Sequence, residues 1–279
     1  MSTILLVICF LIFAYGNLAA KILGVFPIPS ISHQVVFRPV MIELAKRGHE
    51  VTVITPDPAF PEGKTPPNFT EIDVHDLSYA LWNKFIEENG NVSDQMKLMT
   101  LVPDLLLNVF EEQLKSSKVQ KLLKDKNRKF DLIFVESALK TALLFSYLYK
   151  VPAISFSSLS GIFGDFEMVG APIHPLIYSN PLNQRIFNLT IWEKISNLHL
   201  YFKSHQILLN EEPKQKEKLK KYFGSNIPDL SELEKNAHML FLNVHPIWDN
   251  NRPIPPNVIY LGGLHQKEQN PLPQVRDTL

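Results

Sequence analysis

Residues 21–55, KILGVFPIPSISHQVVFRPVMIELAKRGHEVTVIT, decide the fold class. Residues 21–26 form a nearly unbroken apolar run that predicts a buried strand, and residues 50–55 predict a second strand that ends at Pro56. Between them, apolar side chains recur at helical spacing from residue 37 to residue 45. A strand–helix–strand unit of this kind implies a parallel sheet whose crossover is right-handed.

The same alternation continues along the chain. Further strands are predicted at 132–135, 151–156, 239–243 and 258–261, and helical patterns at 77–124, 138–148 and 186–209. Short buried strands that alternate with helices indicate an α/β fold, a Rossmann-like parallel sheet flanked by helices. We expect one domain over residues 21–265, with residues 266–279 starting an interdomain linker.

Pro39 complicates the first helix, because a proline inside a helix removes a hydrogen bond and clashes with the preceding turn. Either the helix begins near Arg38, with Pro39 in its first turn, or it kinks there. In the first case His33 lies on the approach to the helix.

Composition narrows the class of protein. The 279 residues carry 28 basic and 28 acidic side chains, and 45% of the residues are hydrophobic. That content is enough for a substantial core, while the balanced charge provides no basic field for nucleic acid. The basic segment 214–221 has acidic neighbours and reads as a solvated helix face.

The first twenty residues indicate secretory targeting. Residues 4–15 are apolar, too short to span a bilayer comfortably but long enough for the core of a signal peptide, so we assign residues 1–20 to one. A buried first strand or helix is the alternative. The only cysteine, Cys9, lies in this segment. Three Asn-x-Ser/Thr sequons agree with a lumenal route and predict glycosylation at Asn68, Asn91 and Asn188.

His33 is the leading catalytic candidate. It follows the first predicted strand, and the carboxyl end of a strand is where open α/β sheets place their chemistry. An imidazole there can take a proton from a hydroxyl group, provided that a partner holds its tautomer. Glu136 closes the 132–135 strand at the same edge, whereas Asp131 lies at the opposite end. The alternative role for Glu136 is an acid stabilised by the dipole at the start of a helix.

Other chemistries lack their motifs. The sequence contains no Gly-x-Gly-x-x-Gly after the first strand, no Gly-x-Ser-x-Gly elbow and no His-Glu-x-x-His, so no metal site is predicted. Phe163, Phe166 and Met168 could line an apolar acceptor pocket, although ordinary packing is at least as strong an alternative.

Several motifs resemble one enzyme family. They are SHQ at 32–34, RPVM at 38–41, LAKRGHEVTV at 44–53, NVHP at 243–246, RPIPPNV at 252–258 and GGLH at 262–265. Together they resemble the amino-terminal domain of the UDP-glycosyltransferases, and the insect glucuronosyltransferase-like members look most similar. The resemblance covers essentially the whole chain.

The resemblance implies the amino-terminal half of a two-domain GT-B enzyme that transfers sugar with inversion and without a metal. In that family this half binds a small lipophilic acceptor, and the other half binds the UDP-sugar. The family's general base corresponds to His33. Its partner aspartate corresponds to Glu136, whose side chain is one methylene longer. No cofactor is expected on this half, and UDP-glucuronic acid or UDP-glucose would be the co-substrate of the complete enzyme.

We therefore expect an acceptor half that is inactive alone, located in the lumen of the endoplasmic reticulum, with a membrane anchor in the full-length form. Expected partners are the acceptor and, as a homo- or heterodimer, other transferases. The alternative is a non-catalytic lumenal protein that binds lipophilic molecules or regulates full-length transferases.

Overall fold

The computed structural model describes residues 19–92, 94–162, 164–178 and 188–266. Most of the predicted signal peptide, Phe163, the hydroxyl residue of the second sequon and residues 267–279 of the predicted linker lie outside these ranges.

A parallel sheet organises the described residues. Its seven strands are β1 Lys21–Val25, β2 Glu50–Thr55, β3 Phe69–Asp73, β4 Leu132–Glu136, β5 Ala153–Ser157, β6 Ala237–Leu242 and β7 Val258–Tyr260. Their order in the sheet is β3-β2-β1-β4-β5-β6-β7, and every neighbouring pair is parallel. The predicted α/β class with a parallel sheet is confirmed.

Helices cover both faces of this sheet. The α-helices are α1 Ile31–Lys46, α2 His75–Asn89, α3 Gln95–Lys115, α4 Ser117–Lys124, α5 Leu144–Tyr149, α6 Asp165–Met168, α7 Ile191–Phe223 and α8 Leu230–Glu234. Two 3₁₀ turns, Lys140–Leu143 and Pro246–Asp249, complete the described secondary structure. None of the helices in the described ranges has the length and apolar content that crossing a membrane requires.

Burial on both sides explains why β1 reads as a continuous apolar run. Leu23 and Val25 enter the hydrophobic cluster on one face, while Ile22 and Phe26 enter the cluster on the other face. Gly24 lies between them, and a Cβ atom there would come within 2.7 Å of the Phe26 ring. The glycine therefore makes room for an aromatic side chain just beyond the end of the strand.

The first helix begins earlier than a start near Arg38 would allow. Helix α1 runs from Ile31 through Pro39, so His33 lies in its first turn and not on the approach. Pro39 is exposed, and the carbonyl that its missing N–H leaves open can be satisfied by water. Of the two alternatives, the start near Arg38 is wrong and the helix continues through Pro39, because a proline on the solvent side costs less than one in a buried turn.

Two other elements differ from the predictions. Strand β3 was not predicted because this edge strand buries only Phe69 and Ile72, which leaves a weak pattern. Helix α7 continues to Phe223 through a charged segment, which the apolar periodicity could not follow. Its lysines form ion pairs with acidic residues of α3, such as Lys218 with Glu111 at 3.6 Å, so the segment is a charged helix face.

The aromatic core on the α1 face predicts the effect of one truncation. Phe156 is fully buried, and its ring centroid lies 4.9 Å from that of Phe37 and 5.7 Å from that of Phe241. We expect Phe156→Ala to lower the free energy of unfolding by about 3–5 kcal/mol, because it leaves a cavity between packed rings. Urea unfolding measures the change.

The matched control is Phe202→Ala in α7, where the side chain is 63% exposed. We expect that variant to stay within about 0.5 kcal/mol of the parent chain. Equal losses in the two variants would show that Phe156 is not a core residue.

Candidate active site

The sheet brings His33 and Glu136 to the same edge. Strands β1 and β4 are neighbours, and Val25 is in register with Val135. Glu136 is the last residue of β4, while β1 leads into residues 26–30 and then into the first turn of α1, which carries His33. We call residues 26–30 the strap. Because the carboxyl ends of these adjacent parallel strands lie side by side, His33 and Glu136 come together although they are 103 positions apart in the sequence.

The two side chains are in direct contact. Nδ1 of His33 lies 2.5 Å from Oε1 of Glu136. The Glu136 side chain is 1% exposed and the His33 side chain is 27% exposed. The second carboxylate oxygen, Oε2, accepts a hydrogen bond of 3.1 Å from the backbone N–H of Ile28 in the strap. One oxygen therefore holds the imidazole and the other is held by the backbone.

This contact sets the protonation of the imidazole. Burial by itself lowers the pKa of His33, but the hydrogen bond that Nδ1 donates to Glu136 and the negative charge of that carboxylate more than compensate, so the pKa of His33 is raised. With Nδ1 engaged by the carboxylate, Nε2 is the ring nitrogen left for a bound molecule. The arrangement can accept a proton at Nε2 and stabilise the resulting imidazolium through Nδ1.

Two buried glutamines hold the strap in place. Nε2 of Gln34 donates to the carbonyl oxygens of Phe26 and Ile28, at 3.1 Å each. Nε2 of Gln113 donates to the carbonyl oxygen of Pro27 at 2.6 Å. Sequence reasoning missed both residues. The available signal was a polar residue at position 34, in line with the buried positions 37, 41 and 45 of the same helix.

The predicted acceptor-pocket residues are not grouped at this contact. Phe166 is 3% exposed and belongs to a core cluster, where the guanidinium of Arg252 covers its ring at 3.7 Å. For Phe166 the structure supports the packing alternative over a pocket lining. Met168 is half-buried and packs against two core clusters. Phe163 lies outside the described residues.

The remaining polar residues of the described ranges show no metal centre: no group of three or more His, Cys, Asp or Glu side chains there could hold an ion.

The three sequon asparagines, Asn68, Asn91 and Asn188, are all exposed.

The contact between His33 and Glu136 predicts how His33 titrates in a variant. Glu136→Gln removes the charge but keeps the burial, so we expect the pKa of His33 to fall below its ordinary value. Histidine ring resonances followed by NMR across pH measure it. The control is Glu43→Gln on the same helix, which breaks only an exposed pair with Arg47. An unchanged His33 titration in Glu136→Gln would contradict the contact.

Several known proteins with similar sequences are UDP-glucosyltransferases. The ecdysteroid UDP-glucosyltransferase of Spodoptera littoralis nuclear polyhedrosis virus is 33% identical over 262 residues, which cover 90% of this chain and 51% of the viral protein. UDP-glucosyltransferase 2 of Dactylopius coccus is 29% identical over 266 residues, covering 91% of this chain and 49% of the relative. The chain spans about half the length of the curated relatives it matches.

Among solved structures, the calicheamicin glycosyltransferase CalG4 aligns with 88% of this chain and 53% of its own length, at 12% identity and a TM-score of 0.48. The model of the family described as UDP-glucoronosyl and UDP-glucosyl transferase matches residues 20–278. That match takes in every described residue except Ala19. The chain belongs to the UDP-glycosyltransferase family.

Proposed function

We propose that this chain is the acceptor-binding, amino-terminal half of a GT-B UDP-glycosyltransferase in which His33 is the general base. The observation that carries the proposal is the 2.5 Å contact between His33 and the buried Glu136 at the carboxyl edge of the sheet. A base that is oriented by a carboxylate at such an edge is suited to activating a hydroxyl group.

In this mechanism Nε2 of His33 takes the proton from a hydroxyl of the acceptor. The hydroxyl oxygen forms its bond to the anomeric carbon of the sugar while the bond from that carbon to UDP breaks, and UDP leaves with the electron pair. Attack opposite the leaving group inverts the anomeric centre. Glu136 offsets the positive charge that forms on the imidazole, which lowers the free energy of the transition state.

The longer side chain of Glu136 fits this role. Its two oxygens make separate contacts, one with His33 and one with the N–H of Ile28. Because the carboxylate is anchored at one oxygen by backbone, the additional methylene does not leave it free to swing away. The geometry supports glutamate as the imidazole's partner in this chain.

The donor would be bound by the other half of the complete enzyme. We propose UDP-glucose as that co-substrate and a lipophilic polyol of the ecdysteroid kind as the acceptor, since the viral relatives are ecdysteroid UDP-glucosyltransferases. The 279-residue chain alone would then bind an acceptor without appreciable sugar transfer.

The test joins this chain to the carboxyl-terminal half of the Spodoptera littoralis virus relative and measures glucosylation of an ecdysteroid. We expect turnover by the fusion and negligible turnover by the chain alone. His33→Ala should lower kcat by about 10²–10⁴-fold, because general-base catalysis contributes that much. Turnover in the parent fusion should rise with pH through the raised pKa of His33, since the base must be unprotonated.

His238→Ala is the matched control. His238 is exposed near the amino end of β6, away from the edge that carries the pair, and we expect its loss to leave kcat unchanged. Full activity of His33→Ala would refute the general base. Acceptor binding by the chain, together with an inactive parent fusion, would favour the non-catalytic lipophile-binding or regulatory alternative.

We also propose that the protein enters the secretory pathway and resides in the endoplasmic reticulum lumen. The apolar segment 4–15 and the three exposed sequon asparagines support this location. We expect the chain expressed in insect cells to lose apparent mass on treatment with an N-glycosidase, because glycans are attached only in the lumen. The triple variant Asn68→Gln, Asn91→Gln, Asn188→Gln should show no such change. An untreated parent chain that migrates like the triple variant would contradict the proposal.

A further inference from the structure

Gln34 follows His33 in the first turn of α1, yet its polar side chain is buried. It is 1% exposed and lies among core residues of the helix such as Phe37 and Met41. A buried amide costs free energy unless its donors and acceptor find partners. The partners of Gln34 are therefore informative about its role.

The amide of Gln34 joins the ends of two strands. Its amide nitrogen donates hydrogen bonds to two carbonyl oxygens of the strap that follows β1, those of Phe26 and Ile28. Its oxygen accepts a hydrogen bond of 2.9 Å from Oγ1 of Thr55, the last residue of β2. That hydroxyl in turn accepts the backbone N–H of Asp57 at 3.1 Å. Both hydrogens and the oxygen of the amide are thus used.

Ile28 extends this network to the catalytic pair. Its carbonyl oxygen is held by Gln34, and its N–H donates to Oε2 of Glu136 at 3.1 Å. Oε1 of the same carboxylate contacts Nδ1 of His33. The hydrogen bonds therefore run from Gln34 through the backbone of Ile28 and through Glu136 to the imidazole next to Gln34 in sequence.

We propose that Gln34 is a positioning residue for the catalytic pair: its amide fixes the backbone of Ile28, which fixes the carboxylate that orients His33. The catalytic role of His33 rests on the proposed function, whereas its positioning by Gln34 does not. A glutamine is suited to this place because it offers two donors and one acceptor on a neutral side chain. A glutamate would set a negative charge against two carbonyl oxygens and provide no donor when ionised.

Losing the amide should loosen the pair without unfolding the strap. Gln113 holds the carbonyl of Pro27 independently, and the N–H of Ser30 still donates to the carbonyl of Ile28 at 2.8 Å, so the strap keeps part of its support. Ile28, held then only through the turn to Ser30, would have more room to move its N–H away from Glu136 and to admit water beside the carboxylate. Water screens the interaction of the carboxylate with the imidazolium, so the pKa of His33 should fall.

The first test compares Gln34→Met with Gln120→Met in the 279-residue chain. Gln120 is a matched control, since its amide also donates to a backbone carbonyl, that of Leu114, at 2.6 Å. We expect NMR titration to show the pKa of His33 lower by about half a unit or more in Gln34→Met and unchanged in Gln120→Met. A folded Gln34→Met with the parent His33 titration would overturn the proposal.

Thr55→Val is a milder second variant, in case Gln34→Met fails to fold. It removes the hydroxyl that orients the amide and keeps the size of the side chain. We expect a smaller shift in the same direction. An unchanged His33 titration in a folded Thr55→Val, where Gln34→Met does not fold, would likewise overturn the proposal.

The second test uses the fusion enzyme. Gln34→Met should lower kcat by about 10–100-fold with little change in KM, because orientation is lost rather than binding. Its pH–rate profile should move to lower pH by the amount that NMR measures. If the His33 titration shifts but His33→Ala remains active, the proposed function fails and the positioning role stands. If His33→Ala is inactive and the His33 titration does not shift in Gln34→Met, the positioning role fails and the proposed function stands.

Discussion

The buried carboxylate of Glu136 is the constraint on which the site depends. An ionised group that is 1% exposed is tolerated only when hydrogen bonds and opposite charge replace its water. Here the replacements are the N–H of Ile28 and the ring of His33. To supply them, the chain after β1 must turn back over the end of β4 and start its helix within a few residues. The electrostatic demand of one side chain thus constrains the strap and the imidazole together, while Gln34 and Gln113 hold the strap carbonyls.

The parallel sheet makes this arrangement possible over a long sequence separation. In a parallel sheet all carboxyl ends meet at one edge, so neighbouring strands bring their following loops together. Strand β1 lies between β2 and β4, and these three strand ends supply Thr55, the strap and Glu136. The buried hydrogen bonds of Gln34 and Glu136 connect the three ends, and the imidazole lies beside them, partly exposed. Fold and site share the same residues at this edge.

Much of the fold and of the candidate site could be predicted from the sequence, and the features that could not be predicted have physical reasons. The β1–α1–β2 unit and the meeting of His33 with Glu136 followed from apolar periodicity and from the rule for strand ends. The start of α1 stayed open because a proline at position 39 fits either the first turn of a helix or an exposed position within one, and the structure places it in the second setting. Gln34 and Gln113 were missed because the strap groups that they hold are backbone carbonyls, and a polar residue in line with the buried positions of α1 was the one trace in the pattern. The role of Phe166 was left open because Arg252, whose guanidinium covers its ring, is far from it in the sequence.

The coupling free energy between His33 and Glu136 tests the account most directly. It is obtained from urea unfolding of the parent chain, His33→Gln, Glu136→Gln and the double variant. Because the folded-state pKa of His33 is raised, its extra stabilisation is complete below the unfolded-state pKa and is lost as pH rises through the folded value. We predict a coupling of about 1–3 kcal/mol at about pH 5.5 and a smaller coupling at about pH 9. Additive effects within about 0.5 kcal/mol at both pH values would contradict the account.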